Sequence, residues 1–267
     1  MLTYEALLEQ ARTRGMPKDK MRGALREYLQ FVILKEMYRH EAGKKMYFTG
    51  GTYLRLVHNL KRFSEDLDFN TDKIRKDEFE NLLKLIKTGL KRINMDPTLD
   101  FDHWRNIYSA RMIFPEIESY YGISSKYSKK EGIIIKIETN RPRWKIKKEA
   151  LVISGFGEIY PCVCTDIGAL FADKIDALDK KRKARHLYDI IFMLANKYQA
   201  DKSVLAALGI RKEPPEAIIK VVSGFSGAEL KKMAESLRPF LFDESEAGLI
   251  VNARKVIPDL ISKIKGP

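Results

Sequence analysis

Only two cysteines occur in the 267 residues, Cys162 and Cys164. A single residue separates them, so on a strand both thiols would share one face, and a disulfide between them would be strained. No cluster of His or Cys stands near them to make a zinc site. The histidines His40, His58, His103 and His186 share no ligand spacing. The cysteines therefore read as two small core residues in a reducing compartment. Long apolar runs are missing too. None approaches the ~18 residues that a membrane-spanning helix needs, and the opening stretch MLTYEALLEQARTRG has no apolar signal core. Neither a membrane nor export is expected, which leaves the cytoplasm. Carboxylates are the scarcer charge, with 36 Asp and Glu against 49 Lys and Arg and a net charge of +13. A surplus of that size attracts polyanions, nucleic acid foremost. With hydrophobic residues at 45% and charged residues at 32%, the composition is that of a soluble globular chain rather than a disordered one.

What is present is an ordered succession of elements without repeats. The first 42 residues read as two helices. The second begins near Pro17 and carries Leu25, Leu29, Val32, Ile33 and Met37 at helical spacing. A short strand over 46–49 runs into Gly50 and Gly51, a helix follows from Thr52 to about Leu60, and Asp66 to Phe69 reads as a strand. The stretch 77–93 has the broad apolar face of a helix, with Asp77 and Glu78 at its positive end. Strands are expected over 107–114, 132–139, 150–153 and 158–164, and helices from Thr165 to the end. The fold class is thus α+β, a mixed β-sheet lobe with a mainly helical C-terminal lobe, divided as 1–164 and 165–267.

Chemistry concentrates in YFTGGTYLRL and RFSEDLDF. Gly50 and Gly51 let a phosphate approach the backbone, and the helix they open offers unpaired N–H groups, a positive dipole end and the Thr52 hydroxyl. Asp66 and Asp68, two apart on a strand, point to one face. Two carboxylates side by side repel unless a cation joins them or one takes a proton. Mg2+, with Mn2+ as its substitute, accepts carboxylate oxygens together with substrate phosphates. Glu138 in GIIIKIET is the candidate third metal carboxylate, set against an ordinary polar strand face. Arg62 could reach a phosphate or make a surface ion pair. Further on, Ile167, Leu170, Phe171 and Leu178 form one helical stripe that also contains Lys174. Asp189 interrupts the apolar run 187–195 and needs a partner, for which Arg185 is the local candidate and Lys174 the tertiary one. Two readings stand for that pair: an ion pair joining two helices, or a lysine that meets a nucleoside triphosphate. Gly155 and Gly157 in SGFGEIY make no dinucleotide fingerprint, since no helix with a third glycine follows.

Phe48, Gly50, Gly51, Asp66, Leu67 and Asp68 resemble the signature of the polymerase-beta-type nucleotidyltransferase superfamily, and the longer strings FTGGTYLRL and RFSEDLDF resemble the AbiEii/AbiGii toxin family more closely. The block FADKIDALDKKRKARHLYDI is similar to that family's second motif region. One departure is the spacing of 14 residues between Gly51 and Asp66, more than most members have. The resemblance implies a nucleotidyltransferase fold and a toxin of a toxin–antitoxin or phage-defence system, with a cognate antitoxin as partner. It further implies an NTP substrate, catalytic Asp66, Asp68, Lys174, Asp189 and Ser64, and the 3′ end of tRNA as acceptor. Charge agrees with an RNA acceptor. From Lys126 to Lys148 nine residues are Lys or Arg against two Glu, with Tyr127 and Trp144 between them, and Lys180 to Arg185 holds five more cations. Transfer to a protein or small-molecule hydroxyl, and a non-catalytic binding module, are the alternatives.

Overall fold

The computed structural model describes residues 1–105, 107–123 and 132–265, the last by its backbone alone. The chain divides into two compact units. The first comprises Met1–His58, Phe63–Pro142 and Lys148–Cys164, and the second Asn59–Arg62, Arg143–Lys147 and Thr165–Pro267.

The first unit is built on a seven-stranded mixed sheet, with β1 Tyr47–Thr49, β2 Leu67–Asn70, β3 Thr98–Phe101, β4 Ser109–Phe114, β5 Ile133–Asn140, β6 Lys148–Gly155 and β7 Glu158–Thr165. Their order is β3-β4-β5-β2-β1-β7-β6. β1 runs antiparallel to β2 and parallel to β7, and β2 runs parallel to β5. The helices of this unit are α1 Tyr4–Thr13, α2 Met21–Tyr38, α3 Gly50–His58, α4 Lys76–Lys91 and the short α5 Ile117–Tyr120. The apolar stripe of α2 does what its spacing demands, since Leu25, Leu29, Val32, Ile33 and Met37 are all buried. Period-2 alternation sends Ile133, Ile135 and Ile137 of β5 and Leu67 and Phe69 of β2 into the same core. Phe48 packs there on Phe69 and Tyr53, with ring centroids 5.6 and 5.9 Å apart.

The strand β3 and the helix α5 are absent from the periodicity of the sequence. β3 is an edge strand with no buried residue, so nothing in its pattern of four residues marks it, and α5 spans a single turn. Several boundaries also move by one or two residues, and two of these bear on the site. α3 opens at Gly50 itself rather than at Thr52, and Asp66 lies just ahead of β2. Cys162 and Cys164 are buried free thiols with Sγ atoms 3.3 Å apart.

The second unit is helical: α6 Ile167–Lys181, α7 Ala184–Ala195, α8 Lys202–Ala207, α9 Pro214–Ser223, α10 Gly227–Leu237, α11 Ala247–Val251 and α12 Ala253–Lys265. Asp166 caps α6 by accepting from the Ala169 N–H at 2.9 Å. α7 is the central helix, packed by α6, α10, α11 and α12, and Leu187, Ile190 and Met193 on it are fully buried. Among the described residues no helix is long and apolar enough to cross a membrane.

Candidate active site

The polar face of the sheet carries a row of chemistry set by strand register. Thr49 of β1 is level with Asp68 of β2, Asp68 with Glu138 of β5, and Glu138 with Ser109 of β4. Residues level with each other on neighbouring strands share a face. Because Leu67 is level with Ile137, Asp66 falls beside Lys136, which in turn is level with Arg111, and Arg111 with Asp100. Asp66, Asp68 and Glu138 are each half-buried, so their charges keep part of their hydration while sitting close together.

Glycine at position 50 has a reason that its sequence neighbours do not reveal. Its φ is +83°, and a Cβ there would lie 2.4 Å from Asp68 Oδ2 and 3.0 Å from Asp68 Cβ. Only a residue without a side chain lets the carboxylate lie against the start of α3. Thr52 is fully buried, and its hydroxyl donates to the Asp66 carbonyl oxygen. It is therefore engaged in holding Asp66 to α3 rather than turned outward. The segment before Asp66 is anchored from α2. Gln30 Nε2 donates to the Ser64 carbonyl at 2.9 Å, and Arg26 pairs with Glu65 at 2.6 Å.

Glu138 is ion-paired with Lys136 two residues before it. Burial works against the charge of Lys136, but Glu138, Asp66 and Asp68 outweigh it and hold the ammonium above its ordinary range. Lys136 is the site residue that the sequence reading passed over. Its signal was present in GIIIKIET, where alternation puts positions 136 and 138 on one face. Arg111 of β4 pairs with Asp100 on the same face. Among the described residues no group of three His, Cys, Asp or Glu side chains is placed to hold a metal ion. The donor set is nonetheless all oxygen, and Asp66 and Asp68 flank a glycine-opened helix. Two carboxylates completed by phosphate and water suit Mg2+, which binds proteins through one or two carboxylates and keeps its remaining positions for substrate.

The second unit holds the other predicted cluster. Asp189 of α7 is fully buried and accepts both arms of Arg62, Nε and Nη2 each at 2.8 Å, while Lys174 Nζ of α6 stands 2.7 Å from its Oδ2. Arg62 and Lys174 are themselves buried, at 3% and 5% exposure. The tertiary partner, Lys174, is thus the one used, whereas Arg185, the local candidate, is exposed. Arg62 makes a buried fork on Asp189 and not a surface ion pair. Burial disfavours the Asp189 charge, but Arg62 and Lys174 outweigh it and keep the carboxyl below its usual range. His186, one turn before residue 190 on the same helix, is buried and has no hydrogen-bond partner on either ring nitrogen among the described residues. Desolvation first, and the Lys174 charge second, push it down to about 3.

Of the basic runs, Lys126, Lys129 and Lys130, with Tyr127, lie outside the described residues. Lys145 and Lys148 are exposed on either side of Lys147, which pairs with Asp201, whereas Trp144 is buried. In the second run Lys181 and Lys183 are exposed, Lys180 pairs with Asp176 at 2.7 Å, and Arg182 lies 4.0 Å over the Phe225 ring and pairs with Glu229.

Comparison with known proteins gives a family match over most of the chain. The family described as nucleotidyl transferase AbiEii toxin, type IV toxin–antitoxin system, matches residues 32–251. MenT4, a nucleotidyltransferase toxin of Mycobacterium tuberculosis H37Rv, superposes with a TM-score of 0.61 at 15% identity, covering 98% of this chain and 90% of that one. JHP933 of Helicobacter pylori superposes with a TM-score of 0.53 at 20% identity, covering 91% and 93%. At these identities the likeness is one of fold. No curated protein matches the sequence.

Proposed function

Since the chain belongs to the AbiEii nucleotidyltransferase toxin family of type IV toxin–antitoxin systems, we propose that it transfers a nucleoside monophosphate from an NTP to a hydroxyl of RNA, the 3′ end of tRNA, the hydroxyl oxygen bonding to the α-phosphorus as pyrophosphate leaves, and that an antitoxin encoded with it holds this activity in check. The observation that carries the reading is the fit of Asp68 into the space a side chain at Gly50 would fill. That contact sets a carboxylate pair beside a helix start, the combination that a metal-bound triphosphate requires.

Asp66 and Asp68 would hold Mg2+ or Mn2+, and Glu138 would join them as a third carboxylate by turning from its ion pair with Lys136. The ion would supply positive charge for the phosphates and for the developing charge on the attacking oxygen. The protein's own groups do the rest. The first N–H groups of α3, from Gly50, Gly51 and Thr52, have no partner within the helix and would receive phosphate oxygens. A carboxylate oxygen of this row left free by the ion would take the proton of the attacking hydroxyl. Ser64 would hydrogen-bond the acceptor or the triphosphate next to the acids. In the second unit Lys174 is the residue for a nucleotide phosphate, with Asp189 orienting its ammonium and Arg62 holding Asp189 in turn. A lysine clamped by a carboxylate has few rotamers left to lose on binding.

The acceptor class follows from charge. Exposed Lys145, Lys148, Lys181 and Lys183 offer phosphate contacts, each worth a slope of roughly −0.7 in log affinity against log salt on a single strand. Incubation with labelled NTPs, Mg2+, total RNA and total protein tests the reading. Label in small RNA, lost when EDTA is added, is expected. Reversal of Lys181 and Lys183 to Glu should weaken RNA binding and flatten its salt dependence while NTP affinity stays. Label in protein alone would replace RNA with a protein acceptor.

A further inference from the structure

The chain has two tryptophans, and they are used in opposite ways. Trp144 is buried at 6% exposure, whereas Trp104 is 62% exposed. A tryptophan covers roughly 150–250 Å2 when it packs, so a fold that leaves one in water gains almost nothing from it. Trp104 stands near the tip of the hairpin joining β3 to β4, and the residues flanking it are well tied. Trp104 and Ile107 exchange two backbone hydrogen bonds, each 3.0 Å. His103 sits among Phe79, Phe101 and Tyr108 with centroids 5.8–6.0 Å away, bonds Glu80 at 3.0 Å and accepts the Ser109 N–H at 3.3 Å. Arg105 adopts a left-handed φ of 54°, a conformation that glycine or asparagine takes more cheaply. What arginine adds is its guanidinium, stacked 4.6 Å from the Trp104 ring centroid.

Register fixes where this tip lies in its own unit. Asp102 donates its N–H to Ser109, Ser109 is level with Glu138, and Glu138 with Asp68. Three strand spacings of ~4.8 Å and two residues of ~3.3 Å put the Trp104 backbone about 16 Å from that of Asp68, beyond β4 on the β3 side. A stacked strand advances ~3.4 Å per nucleotide, so the gap is that of about four or five nucleotides. We propose that Trp104, backed by Arg105, is a stacking platform for a nucleobase of the RNA acceptor, a few nucleotides in from the hydroxyl that reacts. An indole offers any base a π-face, and the guanidinium adds charge for the neighbouring phosphate. The proposal rests on RNA being the acceptor.

The test compares the intact wild-type protein with Trp104→Ala, Trp104→Phe and Trp104→Leu in transfer to an RNA acceptor. The alanine and leucine variants should raise KM for RNA roughly 5- to 100-fold, the phenylalanine variant much less, with kcat and the KM for NTP unchanged. Acceptors carrying one abasic nucleotide at successive positions give a second readout. Wild type should lose affinity at one internal position, and Trp104→Ala should be indifferent to that same lesion. If wild type labels RNA but Trp104→Ala keeps its KM, or shows the same abasic profile, the platform is refuted and the acceptor class stands. If wild type labels no RNA, the acceptor reading and the platform fall together.

Discussion

Two carboxylate-centred clusters in this protein solve opposite electrostatic problems. On the sheet, Asp66 and Asp68 are half-buried and share a face with Glu138, an excess of negative charge that stays tolerable because water still reaches it. Among the helices, Asp189 is fully buried and carries two cations, Arg62 and Lys174, so a charge that water cannot reach is neutralised by the chain itself. The first arrangement sets three carboxylates against the ammonium of Lys136. In the second the charges are matched within the chain, and removing Asp189 strands both partners in a poorly hydrated interior.

The contrast is broken most severely at the sheet. Asp66→Ala or Asp68→Ala should lower NMP transfer by about 1,000-fold or more, because the charge that would hold the metal is gone. The melting temperature should stay or rise slightly, since one repelling carboxylate has been removed. Labelled-NTP incorporation beside a thermal melt checks both halves. Wild-type turnover in either variant would show that the pair is not the catalytic site.

Asp189→Ala should have the next largest effect and the opposite character. It leaves Arg62 and Lys174 buried without their counter-charge, at a cost of ~3–5 kcal/mol. For a chain of this size that lowers the melting temperature by roughly 6–20 °C. A pH dependence follows from the same group. The Asp189 carboxyl is depressed in the folded state, so its stabilisation is present above the unfolded value near 3.8 and is lost as pH falls through the folded one. Asp189→Asn should remove that part of the acid limb, and urea titrations between neutral and strongly acidic pH read it.

Lys174→Ala sharpens the comparison, because here structure and binding are claimed for one residue. Arg62 still covers Asp189 in this variant, so folding should suffer less than in Asp189→Ala. NTP use should fall by a charge-assisted contact, about 1.5–3 kcal/mol or some 10- to 150-fold in kcat/KM. A lowered melting temperature with normal kinetics would make Lys174 purely structural.

The smallest effect belongs to His186. Both ring nitrogens are buried without hydrogen-bond partners among the described residues, so His186→Phe should keep the packing and gain about 1 kcal/mol at neutral pH by removing them. Burial holds the folded imidazole down to about 3, while the unfolded chain protonates near 6.5. Wild type therefore loses stability through this group as pH falls across that interval, and the phenylalanine variant should show a flatter slope. Identical slopes in wild type and variant would show that the imidazole takes no part.

Much of this was legible in the residue order. Alternation in GIIIKIET put Ile133, Ile135 and Ile137 inward and Glu138 outward, and the helical spacing of α2 named its buried stripe, because burial of a regular element imposes the element's own period on the sequence. The pairing of Asp66 with Asp68 on one face and the interruption of an apolar helix by Asp189 are likewise local patterns. Tertiary structure alone decided who meets whom. Arg62 reaches Asp189 across 127 positions, and no periodicity relates residues so far apart. β3 escaped notice because an edge strand buries little and so leaves no alternation to read. Lys136 joins the acidic row through register between strands, and register depends on how the sheet's buried face packs as a whole. Gly50 makes the division plain. Sequence marks it as a turn residue that lets a phosphate come near, but only the folded chain shows that Asp68 lies where its side chain would be, since close approach is a property of two segments and belongs to neither alone.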